Sequence, residues 1–329
     1  MSELPDGLHE FLAKAGWGNA DIDPIPGDAS FRRYFRLRGG DGTGAMLMHA
    51  PPPHEDPVPF LNVAEWLSSE GLRAPEIYAS DAPQGWVLIE DFGNDRMRDW
   101  LDDHPDRETA AYEGAIDALV ELHKRPAGPF PAYDMPTYRR ETGLLTEWYA
   151  PAQELTVDAA AYDAAWEEAL APMLARQNPG VTVLRDYHAE NIMLLGDPAD
   201  KAPQGLIDFQ DALVGHPAYD LVSLLQDARR DVPEALEAAM LKRYLDRADA
   251  GDEFEADYAR LGAQRNAKIV GIFTRLYKRD GKPRYLDMIP RVWAAMERDL
   301  AHPALKPVAD WFTENIPAEL RQNGGGKIT

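Results

Sequence analysis

Leu8, Phe11, Leu12 and Ala15 recur at helical spacing and Gly16 stops the run, so the pattern predicts a short amphipathic helix near the start of the chain. The period then changes to two. Residues 22–25 and the alternating Phe31-Arg32-Arg33-Tyr34-Phe35-Arg36-Leu37-Arg38 read as strand, tight turn and strand, with Gly27-Asp28-Ala29-Ser30 at the tip. Ala45 to Met48 gives a third strand, closed by Pro51-Pro52-Pro53. Phe60, Leu61, Val63, Ala64 and Leu67 trace a helix that stops at Gly71, and Glu65 within it either forms an ion pair or faces solvent. Ile77-Tyr78 and Trp86 to Ile89 make two more strands, and Glu90-Asp91-Phe92-Gly93 follows as a connector.

Beyond residue 95 long helical runs replace the short strands. They cover Tyr112 to His123, Tyr138 to Tyr149 and Tyr162 to Leu174. Two short apolar runs, Ile192 to Leu195 and Gly205 to Ile207, are bounded by Gly and Pro and predict a hairpin. Helix resumes at Ala218 to Leu225, where Asp220 in the first turn can accept backbone N–H bonds and reads as structural. Further helices are expected over 233–247, 253–278, 284–300 and 303–315. The tail Asn323-Gly324-Gly325-Gly326-Lys327 reads as a flexible end.

Composition narrows the function classes. The 329 residues allow one or two lobes around large cores. With 34 basic against 56 acidic side chains the net charge is -22, which excludes a general binder of nucleic acid or of anionic membrane. The chain has no Cys, so disulfides and thiolate metal sites are excluded. The acidic start lacks the features of a signal peptide, and no apolar run approaches the roughly 18 residues of a membrane span. A soluble, cytoplasmic monomer is expected. Basic residues nevertheless gather at Arg265, Lys268, Arg275, Lys278, Arg279, Lys282 and Arg284. A helical face formed by residues 265, 268, 275 and 279 is most commonly solvated; bordering a cleft, it favours an anionic acceptor.

The chemistry concentrates in Leu184-Arg185-Asp186-Tyr187-His188-Ala189-Glu190-Asn191 and in Leu206-Ile207-Asp208-Phe209-Gln210. Arg-Asp-x-x-x-x-Asn is a phosphoryl-transfer pattern, in which the Asp orients an acceptor hydroxyl and the Asn holds Mg²⁺. A second Asp after a hydrophobic pair supplies the other metal ligand. Each strand of the predicted hairpin thus delivers one ligand, and Gly215-His216-Pro217-Ala218-Tyr219-Asp220-Leu221 follows in order. A kinase also carries a phosphate-pairing Lys on its third strand. Met48 stands there instead, and the nearest cations are Arg32, Arg33, Arg36, His49 and His54.

Taken in order, residues 27–30, the Ile89-Glu90-Asp91 connector, Asp186 to Asn191, Asp208 and Tyr219-Asp220-Leu221 resemble the aminoglycoside phosphotransferase family. The resemblance implies an α+β, protein-kinase-like bilobal fold: a small antiparallel-sheet N-lobe over 1–92 for nucleotide, and a large, mainly helical C-lobe over 93–329 for catalysis and acceptor. It implies ATP and Mg²⁺ as cofactors, Asp186 as catalytic base, and Asn191 and Asp208 as metal ligands. Gly27, Asp28, Ala29, Ser30 and Arg33 would hold phosphates, and Glu90, Asp91 and Phe92 adenine. More narrowly, residues 27–36, Met48-His49-Ala50-Pro51-Pro52 and residues 186–191 resemble the anomeric amino-sugar kinases of bacterial cell-wall recycling. That group implies N-acetylmuramate and N-acetylglucosamine as small-molecule acceptors. Leu184-Arg185 departs from the wider family's usual His-Gly, and the Lys is missing. The rival readings are a kinase of an aminoglycoside, choline or another small alcohol, a nucleotide-binding pseudokinase, and a metallohydrolase built on His188 and Glu190.

Overall fold

In the computed structural model the described residues are 4–26, 31–177 and 180–328. The expected phosphate loop Gly27, Asp28, Ala29 and Ser30 therefore lies outside them. In chain order, α1 (Leu8–Lys14) precedes β1 (Asp21–Ile25), β2 (Arg33–Arg38) and β3 (Gly44–His49). Next come α2 (Val58–Ser69), β4 (Ile77–Asp81), β5 (Trp86–Glu90) and α3 (Met97–Asp103). Helices α4 (Glu108–His123) and α5 (Met135–Leu144) lead through a π turn at Leu145–Tyr149 to the one-turn α6 (Ala150–Ala152) and then α7 (Ala159–Arg176). Short strands β6 (Val181–Val183), β7 (Ile192–Leu194), β8 (Gln204–Leu206) and β9 (Leu213–Gly215) follow. The rest is helical: α8 (Ala218–Leu225), α9 (Glu234–Leu245), α10 (Phe254–Lys278), α11 (Ile289–Leu300), α12 (Lys306–Asn315) and α13 (Ala318–Gln322).

The chain forms two compact units, Met1–Arg107 with Glu190–Asp211, and Glu108–Ala189 with Ala212–Thr329. A cut at residue 92 divides it differently, because α3 and the β7–β8 hairpin fall with the sheet. In the first unit the antiparallel sheet has the order β1-β2-β3-β5-β4. Alternation sends Phe35, Leu37, Ala45, Leu47, Trp86 and Leu88 to one face, where Leu8, Phe11 and Leu12 of α1 cover them. The register pairs Tyr34 with Met48 and Met48 with Val87, so these residues face the other way together with Arg36, Met46 and Ile89. The hairpin joins this unit through main-chain bonds: Leu206 N–H donates to Arg73 O at 2.9 Å and Leu194 N–H to Asp95 O at 2.8 Å. A Cβ on Gly205 would lie 2.5 Å from the Phe92 ring, so this close approach requires glycine.

In the second unit α10 is the central helix, packed against α5, α8 and α11. Its polar residues Asp257, Arg260, Gln264, Arg265 and Asn266 are buried. The expectation of a solvated basic face therefore fails at its first two members: Arg265 is 5% exposed and Lys268 11% by side chain, each in an ion pair. Glu65 of the first unit is exposed. The strand pair β6–β9 went unpredicted because three-residue strands leave too little alternation to read.

The tail also corrects the sequence reading. Tyr149 O–H and Gln153 Nε2 donate to Gly325 O at 2.7 and 2.8 Å, and Ile328 is 6% exposed. Gly324, Gly325 and Gly326 all have positive φ, so the glycines that suggested disorder make a tight docked turn. Deleting residues 323–329 removes the two side-chain hydrogen bonds to Gly325 O, main-chain bonds to Glu319 and Leu320, and the buried Ile328 side chain, an expected loss of about 3 kcal/mol. Thermal melting of the truncated chain checks this.

Candidate active site

The loop carrying Asp186 is held from below by a buried carboxylate. Asp220 of α8, fully buried, accepts the Leu184 N–H on Oδ2 at 2.7 Å and the Arg185 N–H on Oδ1 at 2.8 Å. Asp220 is thus structural, as expected, but its donors come from the Asp186 loop. Arg185 has φ +70°, a left-handed conformation uncommon for a residue with a side chain, and these two bonds hold it. Downstream, Tyr187 O–H donates to Ala115 O at 2.9 Å and Ala189 N–H to Asp227 Oδ2 at 3.3 Å.

Asp186 points its carboxylate out of this frame, with 44% of the side chain exposed. Arg265 Nη2 donates to Asp186 Oδ1 at 3.3 Å, to Ser223 Oγ at 2.8 Å and to Arg185 O at 3.4 Å, so one buried guanidinium fixes both loop and acid. Loss of hydration alone would raise the acid, but Arg265, Lys268, His188 and Arg185 outweigh it and hold the carboxyl down at about 2. The Arg185 guanidinium is taken by buried Glu141, which also receives Lys268 at 3.0 Å and the Tyr133 hydroxyl. Burial would raise Glu141, and Lys268 and Arg185 reverse this, keeping it ionised. Burial and the Arg229 charge push His188 down to about 4, and Arg229 Nη1 donates to its Nε2 at 3.3 Å, so the imidazole is neutral near pH 7.

In the first unit, Asn191 and Asp208 stand at the same end of the β7–β8 hairpin. Asn191 Nδ2 donates to Asp208 Oδ2 at 3.2 Å, Gln210 Nε2 to Asp208 Oδ1 at 2.9 Å, and Ile207 N–H to Asn191 O at 3.1 Å. Asp208 has φ +59°, and buried Phe209 anchors this turn by stacking on Phe60 of α2 at 5.1 Å. The amide oxygen of Asn191 and the carboxylate of Asp208 are hard oxygen donors, a set that fits Mg²⁺ completed by water and phosphate oxygens. Glu190 is ion-paired with Arg98, and His188 is engaged by Arg229, which removes both from the metallohydrolase reading.

The connector is laced to the sheet by two arginines that sequence reasoning passed over or left unassigned. Arg73 Nη1 donates to Glu90 Oε2 at 2.7 Å and its guanidinium lies 4.6 Å over the Phe92 ring. Glu90 N–H donates to Glu76 O at 2.9 Å. Arg36 Nε pairs with Asp91 Oδ2 at 2.6 Å, and its Nη2 donates to Gly93 O at 2.8 Å. Arg33 shares the α1-covered face with Phe35, and its guanidinium lies 5.2 Å over that ring. Glu141 lies on α5, Ser223 on α8 and Asp227 in the segment just after α8, at no motif spacing, so nothing in the sequence marked them.

Residues 21–263 match the phosphotransferase enzyme family. The chain is 36% identical to an N-acetylmuramate/N-acetylglucosamine kinase of Caulobacter vibrioides, over 98% of this chain and 99% of that protein. A protein of the same name from Pseudomonas aeruginosa is 40% identical, over 91% and 90%. Among solved structures, a choline/ethanolamine kinase family protein from Mesorhizobium loti superposes with TM-score 0.63 at 14% identity, covering 94% of this chain and 99% of the other. An ADP-bound aminoglycoside phosphotransferase gives TM-score 0.62 at 16% identity over 94% and 99%. The first unit's antiparallel sheet and the mainly helical second unit fit that kinase-like architecture, and the chain belongs to the phosphotransferase enzyme family.

Proposed function

We propose that this chain is an ATP-dependent kinase that phosphorylates the anomeric hydroxyl of N-acetylmuramate and N-acetylglucosamine, giving the sugar 1-phosphates. The observation that carries the acceptor is the likeness, over almost the full length, to kinases named for those two sugars. Residues 1–92 are assigned to nucleotide and 93–329 to catalysis and acceptor, with Gly27 to Ser30 at the phosphates; Arg33, over the Phe35 ring on the α1-covered face, is left out of that set. Glu90 spends its carboxylate on Arg73 and its N–H on Glu76, so adenine is assigned to the main chain of Asp91 and Phe92. Because ATP is the donor, the protein is placed in the cytoplasm, acting as a monomer.

Asp186, held at about 2, is an anion at every working pH and a weak base. That suits phosphoryl transfer, whose loose transition state asks for an oriented nucleophile more than for early proton removal. An anomeric hydroxyl, more acidic than an ordinary alcohol, lessens the demand further. Asp186 accepts the hydroxyl hydrogen bond and aims the oxygen, while Arg265 keeps the carboxylate from turning away. Asn191 and Asp208 would hold Mg²⁺, which neutralises charge on the nucleotide phosphates when bound.

A panel of reducing amino sugars, a C1-blocked methyl glycoside and an aminoglycoside tests the reading. Phosphate is expected at C1 of the free sugars and nowhere on the glycoside; phosphorylation of the aminoglycoside alone would overturn it. Asp208→Ala is expected to weaken Mg²⁺-dependent ATP binding at least about 10-fold by calorimetry, since it removes the charged member of the donor pair. Unchanged affinity would remove Asp208 from the metal site.

A further inference from the structure

Met48 leaves the third strand without a cation, and the geometry around it points to another source of positive charge. Arg32, Arg33, Arg36, His49 and His54 lie near β3 and differ in what they engage. Arg36 is tied to Asp91 and to the Gly93 carbonyl. Arg33 lies over the Phe35 ring on the face that α1 covers. His49 stacks on Trp86 at 3.9 Å, and burial and the Arg33 charge lower its pKa, so it is neutral. His54 stacks on Phe31 at 4.8 Å.

Arg32 is placed differently. It precedes β2 on the Tyr34 side of the strand, and it engages the Tyr34 side chain. Tyr34 in turn donates its hydroxyl to Met48 Sδ at 3.5 Å, so the chain of contacts runs from Met48 to the guanidinium. Glu55, in the turn after Pro51-Pro52-Pro53, holds the arginine: its Oε2 accepts from Arg32 Nε at 3.2 Å and its Oε1 accepts the Phe31 N–H at 3.2 Å. Asp208 lies within electrostatic reach of Arg32. The side chain keeps 15% exposure.

We propose that Arg32, oriented by Glu55, is the polyphosphate-binding cation of this chain, replacing the absent third-strand lysine with an Arg–Glu pair built from the other end of the sheet. The proposal rests on the kinase reading above and adds a residue to it. A guanidinium fixed at Nε by a carboxylate presents its two Nη groups as a planar fork, which matches two phosphate oxygens where an ammonium offers a single point. The Pro-rich segment then has a purpose: it turns the chain so that Glu55 reaches back to the start of β2. Glu65 on α2 is exposed, which leaves Glu55 as the carboxylate paired with this cation.

Calorimetry with ATP, ADP and adenosine, with Mg²⁺ present, separates phosphate binding from a role in shaping the site. Arg32→Ala is expected to weaken ATP and ADP at least about 10-fold and to leave adenosine within about twofold, the loss expected of a charge-assisted bidentate contact. Arg32→Lys keeps the charge, guards against a folding defect, and should recover part of the ATP affinity. Glu55→Gln should weaken ATP by a smaller factor. An equal loss for adenosine and ATP in Arg32→Ala, or ATP affinity unchanged in both Arg32 variants, would overturn the proposal while the kinase reading stood. A wild-type chain that binds no ATP would overturn both.

Discussion

Asp186→Asn is expected to lower kcat about 1000-fold or more while ATP affinity and melting temperature stay near wild type. The size follows from the general-base range, about 100- to 10,000-fold, together with the loss of the anion that Arg265 holds in place. Asparagine keeps an oxygen for Arg265 and nearly the same volume, so the frame of Asp220, Tyr187 and Asp227 is undisturbed. What it loses is the anion. The wild-type pH profile gives an independent reading. A carboxyl held down at about 2 in the folded chain is ionised at every higher pH, so an acid limb near pH 6 in kcat/KM must come from another group. The same depression from 3.8 contributes to folding stability above about pH 4 and is lost as pH falls through about 2. Near-wild-type turnover in Asp186→Asn, with ATP still bound, would remove Asp186 from catalysis.

How far the sequence could be read follows the length of each element. The five strands of the sheet and α8 were legible because period-2 and period-3.6 runs persist there over several residues between clear turn signals. The β6–β9 pair and the π turn at Leu145–Tyr149 were not, since three residues carry no period and a π turn keeps the apolar spacing of a helix. Among the candidate residues, those joined by local spacing could be nominated from the chain: Asp186 and Asn191 share a motif, and Asp208 follows a hydrophobic pair. The residues that fix them were missed or misread, because contact across a fold leaves no spacing. Arg265 and Lys268 looked like part of a solvated face, yet their neighbours on α10 are also polar and buried, so a helix with charge on several sides can still be internal when its charges are paired. The glycine-rich tail shows the opposite error. Glycine there supplies positive φ for docking, and composition alone cannot separate that from flexibility.

Asp220→Ala should cost about 3–5 kcal/mol of stability and, in whatever folded protein remains, lower kcat about 100-fold. Two buried N–H groups, of Leu184 and Arg185, lose their acceptor together, at about 1–3 kcal/mol each. The left-handed turn at Arg185 then loses both of its amide anchors, and Asp186 is the next residue, so the chemical loss follows from the structural one. Asp220→Asn is the sharper probe. An amide offers one oxygen where the carboxylate offers two, so one N–H is satisfied and the other faces an NH₂, an expected cost of about 2 kcal/mol. The difference between wild type and this variant should also depend on pH. Burial raises the Asp220 carboxyl to about 7, against the pull of the Leu184 and Arg185 amides and of Arg265. A carboxyl raised in the folded state favours the proton there, so its contribution is complete below about pH 4 and is lost as pH rises through about 7. Asparagine does not titrate, and the stability gap between the two proteins should therefore narrow from pH 5 to pH 8. Denaturant melts across that range read it directly, and a gap that stays constant from pH 5 to pH 8 would mean that the two amides hold Asp220 as an anion throughout.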